Sequence, residues 1–301
     1  MTSQILKISR SALQEQARRA LDRLVACDLC PRRCGANRLK DERGFCRTGR
    51  LARVAGHAPH FGEEEPLVGF SGSGTIFFSG CNLSCVFCQN YDISQQDRGT
   101  EVSSRKLADM MLALQDAGCH NINLVTPTHV IAQILEALLL AKDGGLSIPL
   151  VYNSGGYDSV DALRLLDGIV DIYLPDAKYG NDEAASEYSK APGYVGIMKS
   201  ALLEMHRQVG DLVLDEKGIA KRGLIVRHLV LPENAAGTEE VMRFIAQEIS
   251  KDTFVNIMAQ YRPEYRAGCY ARLARPITER EYVQAIGLAA AAGLTRGLAM
   301  L

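Results

Sequence analysis

The segment Cys81-Asn82-Leu83-Ser84-Cys85-Val86-Phe87-Cys88 constrains this chain more tightly than any other. Its three cysteines, spaced C-x3-C-x2-C, follow an apolar β-like run, Thr75-Ile76-Phe77-Phe78, that ends in Ser79-Gly80. Thiolates so closely spaced share one tight loop. There they can hold three irons of a [4Fe–4S] cube and leave the fourth iron without a protein ligand. The plainer alternative is a zinc knuckle or a set of buried thiols. Structural zinc sites gather four ligands, usually in C-x2-4-C pairs, and no fourth ligand lies close by in the sequence. A strand leading into a loop is the setting the cluster reading requires.

A second constellation precedes the first: Cys27-x2-Cys30-x3-Cys34-x11-Cys46, with the turn-formers Pro31, Gly35 and Gly44 beside it. Four soft ligands so arranged can close a tetrahedral zinc site or carry a second iron–sulfur cluster. The spacing leaves the metal open. Cys119 reads as a packing residue, and Cys269 has no assigned role. Nine cysteines, clustered rather than spread, fit a reducing cytoplasm better than a disulfide framework. A formal charge of −1 with acids and bases interspersed leaves no footprint for nucleic acid or a membrane surface. No apolar run approaches the roughly 18 residues of a membrane span, and the first ten residues lack a signal-peptide hydrophobic region. The expected location is the cytoplasm.

At 301 residues the chain is long enough for one large α/β domain and a small appendage. Residues 1–74 read as an N-terminal helix (11–27), a cysteine-rich metal-binding segment and a Gly-rich acidic stretch (56–74). From residue 75 to 301 apolar β-rich runs alternate with amphipathic helices, the pattern of βα units around a parallel sheet. Strands are expected at 75–79, 121–126, 148–153, 170–174, 224–231 and 253–260. Helices are expected at 104–117, 129–142, 159–166, 182–209 (broken), 238–250 and 278–291. Ser104, Ser159, Thr238 and Thr278 are the expected N-caps.

The cysteine loop resembles that of the radical S-adenosylmethionine (SAM) superfamily. Its continuation, Cys88-Gln89-Asn90-Tyr91-Asp92, resembles the pyruvate formate-lyase-activating group within it. The chain looks like a homologue of those activating enzymes with a cysteine-rich N-terminus. The resemblance implies an open (β/α)6 TIM-like partial barrel whose site lies at the C-terminal ends of the strands. It implies a [4Fe–4S] cluster on Cys81, Cys85 and Cys88 whose open iron chelates SAM. Reductive cleavage then gives a 5′-deoxyadenosyl radical that abstracts hydrogen, as in activation of a glycyl radical enzyme. Modification of a peptide or small molecule is the alternative, and a non-enzymatic metal-binding or electron-carrier protein a further one. The implied partners are a reductant protein such as flavodoxin or ferredoxin and a protein or peptide substrate.

The same resemblance suggests SAM-binding residues. Phe87 takes the position that borders the adenine. Where relatives carry a Gly-Gly-Glu-type segment, this chain has Val125-Thr126-Pro127-Thr128-His129, so Thr126, Thr128 and His129 offer polar contacts instead. Asn153 and Ser154 fall where the ribose and carboxylate are contacted, and Asp176-Ala177-Lys178 resembles an Asp-x-Lys pattern facing SAM. Arg227, alone on an apolar strand, needs an anion. The SAM carboxylate is the expected one.

Overall fold

The computed structural model of the protein describes residues 3–298. Residues 1–2 and 299–301, the outer ends of the two segments read from the sequence, lie outside the described residues. In chain order the strands are β1 (Ala52–His60), β2 (Ser73–Phe78), β3 (Thr100–Val102), β4 (Ile122–Val125), β5 (Leu150–Ser154), β6 (Ile172–Pro175), β7 (Val213–Leu214), β8 (Ala220–Leu229) and β9 (Phe254–Met258). Each of the six runs expected to form strands does so, as β2, β4, β5, β6, β8 and β9. They pair in parallel in that order, which is an open (β/α)6 partial barrel. Both faces of the strands are covered. Ile76, Ile122, Leu124, Leu150, Leu224 and Val226 are all at most 1% exposed, and burying such a side chain contributes about 1.5–3 kcal/mol.

Three strands were not foreseen. β1 pairs antiparallel with β2 on one side and β3 on the other, through a bulge between Val54 and Gly56. Its sequence hides it: beyond Val54 the strand is largely exposed and contains Gly56, His57 and Pro59, so no apolar alternation marks it. β1 belongs to the same sheet as β2, so the sheet continues across residue 74 into the N-terminal segment. β7 has only two residues and pairs antiparallel with β8.

The helices fall where periodicity places them, with local corrections. The helix expected from 104 begins at Ser104, but its cap is Ser103, whose side chain accepts the Lys106 N–H. Thr278 and Glu281 form a reciprocal capping box on helix Glu279–Ala291. Thr238 is not a cap. Gly237, in the left-handed conformation, takes that place, and the Thr238 hydroxyl lies 3.0 Å from His228 Nε2.

His228 is fully buried, and its Nδ1 donates to the Ala177 carbonyl at 2.7 Å. Nε2 is therefore the acceptor for Thr238, and the ring is neutral. Burial lowers its pKa to about 4. A folded pKa below the unfolded value near 6.5 stabilises the native state above that value, and the stability is lost as pH falls toward 4. Urea denaturation between pH 7 and 4.5 should show this loss, of order 3 kcal/mol from this residue if fully titrated. The His228→Gln variant should start less stable and lose less on acidification. An equal pH slope in both proteins would remove His228 as a source.

Candidate active site

Gly80 turns the chain out of β2 with φ +80°, and a Cβ there would lie 2.4 Å from the Cys46 carbonyl oxygen. The loop that follows is pinned from several sides. The Asn82 amide donates to the Tyr157 carbonyl at 2.5 Å, the Ser84 N–H to Ser189 and the Val86 N–H to Tyr188. Arg266 N–H donates to the Val86 carbonyl, which ties the loop after β9 to it. Phe87 is buried edge-on against Tyr179 and Tyr261, at 6.5 and 5.8 Å.

Cys81, Cys85 and Cys88 line one cleft of about 270 Å³ at the C-terminal ends of the parallel strands, with Phe87 beside them. Each sulfur has a polar neighbour. The Leu83 N–H donates to Cys81 Sγ at 3.3 Å, the Ser189 hydroxyl to Cys85 Sγ at 3.0 Å, and Ser94 Oγ lies 3.2 Å from Cys88 Sγ. Burial raises the Cys81 and Cys85 thiols above their ordinary value, and the Lys178 ammonium opposes it at both. A bound metal deprotonates such thiols outright. Among the described residues no three His, Cys, Asp or Glu side chains form a group placed to hold a single metal ion. A cube does not need such a group, because each thiolate takes its own iron. Three sulfurs on one cleft, each with a hydrogen-bonding partner, fit a cluster with one open iron.

The far wall of the cleft comes from the next strand ends: Thr126, Asn153, Ser154, Asp176, Lys178 and Arg227. Thr126 has φ +61°, a region strained for a β-branched residue and free for glycine. Asp176 Oδ2 accepts from Lys178 Nζ at 2.5 Å and Oδ1 from Arg227 Nε at 2.8 Å. Burial pushes the Asp176 carboxyl up, but the two cations outweigh it and hold it below the ordinary range. Arg227 also donates to Asn153 Oδ1 at 2.6 Å and lies 3.5 Å from Glu63 and 4.0 Å from Glu64. This corrects the expectation for Arg227: protein carboxylates already supply its anion. Glu63 and Glu64, in the loop after β1, were missed because nothing in their run of acids distinguishes buried positions from solvated ones. Burial raises the Glu63 carboxyl, against the pull of Arg227.

Thr128 and His129 are not brought into the cleft. The Thr128 hydroxyl donates to Asp158 at 2.6 Å. The His129 ring, 1% exposed, donates from Nε2 to the Ser79 carbonyl at 2.9 Å, and burial lowers its pKa to about 4. Both side chains turn inward, Thr128 onto Asp158 and His129 onto the backbone at the end of β2. Asp158, which was also missed, clamps the strand ends. Besides Thr128 it accepts from Tyr152 OH at 2.9 Å and from Ser154 Oγ at 2.6 Å.

The four N-terminal cysteines lie outside the cleft. Cys27, Cys30 and Cys46 are buried and Cys34 is exposed. Gly35 N–H donates to the Cys27 carbonyl and Cys27 N–H to Ala36, which closes the first turn of the segment. Burial pushes the Cys30 thiol up to about 12, and the sulfurs of Cys46, Cys27 and Cys34 add to the shift, so the four stand within electrostatic reach of one another.

The sequence pattern of the radical SAM superfamily matches residues 75–245. The chain is 37% identical over 273 residues to the uncharacterized protein MJ0674 of Methanocaldococcus jannaschii, covering 87% of this chain and 74% of that protein. It is 23% identical over 268 residues to the uncharacterized protein MJ0808 of the same organism, covering 81% and 73%. A solved structure of TYW1 with a lysine-pyruvate adduct bound aligns with a TM-score of 0.47 and 8% identity, over 71% of this chain and 72% of that one.

Asp176 is the shared anion of Lys178 and Arg227, so Asp176→Asn should leave two buried cations without it. Breaking a buried pair costs about 3–5 kcal/mol. Urea titration should show a loss of that size, and the Asp176→Asn, Arg227→Met double variant should lose less than the sum of the two single changes. Strict additivity would mean the contact carries no coupling.

Proposed function

The chain belongs to the radical SAM superfamily, and from that premise we propose that it is an enzyme that reductively cleaves SAM and uses the 5′-deoxyadenosyl radical to abstract hydrogen from a polypeptide. The three-thiolate loop carries the reading: Cys81, Cys85 and Cys88 face one cleft at the strand ends of a partial barrel, each with a hydrogen-bonding partner. When bound, the [4Fe–4S] cluster supplies the electron and an open iron for the amino and carboxylate groups of SAM.

The chain's own residues place the ligand and keep water out. Phe87, held edge-on by Tyr179 and Tyr261, offers an apolar ring for the adenine. Thr126, Asn153 and Ser154 present polar groups along the adjoining strand ends. Lys178 brings positive charge toward the sulfurs while Asp176 anchors it. Arg227 acts on the ligand indirectly, by fixing Asp176 and Asn153. The electron is supplied by a reductant protein such as flavodoxin or ferredoxin.

The finer reading is activation of a glycyl radical enzyme. Its support is the likeness of Cys88–Asp92 and of Asp176-Ala177-Lys178 to the activating group, together with the segment next to the cleft-lining Asn90. There Tyr91 and Tyr265 stack at 4.9 Å, with the Arg266 guanidinium 5.1 Å from the Tyr265 ring. Flat aromatic faces beside a guanidinium suit a polypeptide segment.

Anaerobic reconstitution, reduction with dithionite and addition of SAM should yield 5′-deoxyadenosine from the full chain. The Cys81→Ala, Cys85→Ala, Cys88→Ala variant should yield none. A reconstituted wild-type protein that leaves SAM intact would overturn the reading, as would a triple variant that still cleaves it.

A further inference from the structure

The mechanism above makes no use of Arg38. Its side chain is among the largest that are fully buried, at 1% exposure. Nε donates to the Gly49 carbonyl at 3.1 Å and Nη1 to the His129 carbonyl at 2.7 Å. Nη1 also lies 3.7 Å from Cys27 Sγ, and Nη2 has no partner. Among the described residues no carboxylate pairs with it, although a buried guanidinium needs an anion. The group nearest to serving as one is the sulfur of Cys27.

Cys27 is one of four cysteines held together in the N-terminal segment. Cys34 Sγ is 3.9 Å from the Cys27 carbonyl, and a Cβ on Gly44 would lie 2.4 Å from Cys34 Sγ, so glycine at that position gives the sulfur its room. Cys27, Cys34 and Cys46 all lie within electrostatic reach of Cys30, and four thiolates brought together in this way can each take one iron of a polynuclear centre. The centre would stand next to the first loop: a Cβ on Gly80, the residue before Cys81, would lie 2.4 Å from Cys46 O. Arg47 bonds to the carbonyls of Ser94 and Gln95, and Arg32 Nε to that of Asn82 at 2.9 Å, which fastens the segment to the first loop.

We propose that Cys27, Cys30, Cys34 and Cys46 hold a second iron–sulfur cluster and that Arg38 is its buried counter-cation. Four thiolates around an iron–sulfur core leave a net negative charge, which supplies the anion Arg38 lacks. Through His129, whose ring bonds to Ser79, Arg38 also links this centre to the strand end that carries the first.

The test is metal analysis of the full chain, reconstituted anaerobically with ferrous iron and sulfide. The wild type should carry about twice the iron and acid-labile sulfide of the Cys27→Ser, Cys30→Ser, Cys34→Ser, Cys46→Ser variant. The Cys81→Ala, Cys85→Ala, Cys88→Ala variant provides an independent measurement should the quadruple variant fail to fold, and it should retain the other half. Arg38→Met should lose the iron retained by that triple variant, whereas Arg38→Lys should keep most of it. Equal iron in the wild type and the quadruple variant, or zinc in place of iron, would overturn the cluster. Undiminished iron in Arg38→Met would overturn the counter-cation. Because these counts do not depend on SAM, a wild type that carries both clusters yet ignores SAM would sink only the proposed function.

Discussion

A sulfur that must be negative inside a protein needs either a metal or a cation close to it, because burial alone drives the proton back on. Each cysteine group of this chain has a buried cation beside it. Lys178 pulls against the effect of burial at Cys81 and Cys85, and Arg38 reaches Cys27. The cations have to be held in turn. Lys178 is anchored by Asp176, which is anchored by Arg227, which is balanced by Glu63 and Glu64 from the loop after β1.

The polar framework at the strand ends does a second job. Asp158 draws Thr128, Tyr152 and Ser154 onto one carboxylate, so the ends of β4 and β5 have a fixed spacing. Thr126 beside them adopts the conformation natural to glycine, at the position where this chain departs from a Gly-rich pattern. A β-branched residue held there costs about 1–2 kcal/mol, which the surrounding hydrogen bonds have to offset.

Much of this was legible in the sequence, and the exceptions have physical causes. The six parallel strands could be read because strands covered on both faces are continuous apolar runs. β1 could not, because an antiparallel strand with one wet side, a proline and a bulge carries no such signal. The cysteine loop was legible because its chemistry depends on local spacing. Thr128 and His129 were assigned to the cleft because position along a strand end does not reveal which way a side chain turns. Arg227 was given an outside anion because pairs formed across 51 and 164 residues of chain, with Asp176 and Glu63, leave no local trace. Arg38, one of many arginines in sequence, is distinguished only by burial.

Under the proposed function, SAM would bind directly to the iron that lacks a cysteine. Electron–nuclear double resonance on the reduced, reconstituted protein tests it, using SAM labelled with nitrogen-15 at the amino group and oxygen-17 at the carboxylate. The account predicts hyperfine coupling of both labels to the cluster spin, as direct ligation requires. A cluster signal that shows no coupling to either label would place SAM away from the iron and contradict it.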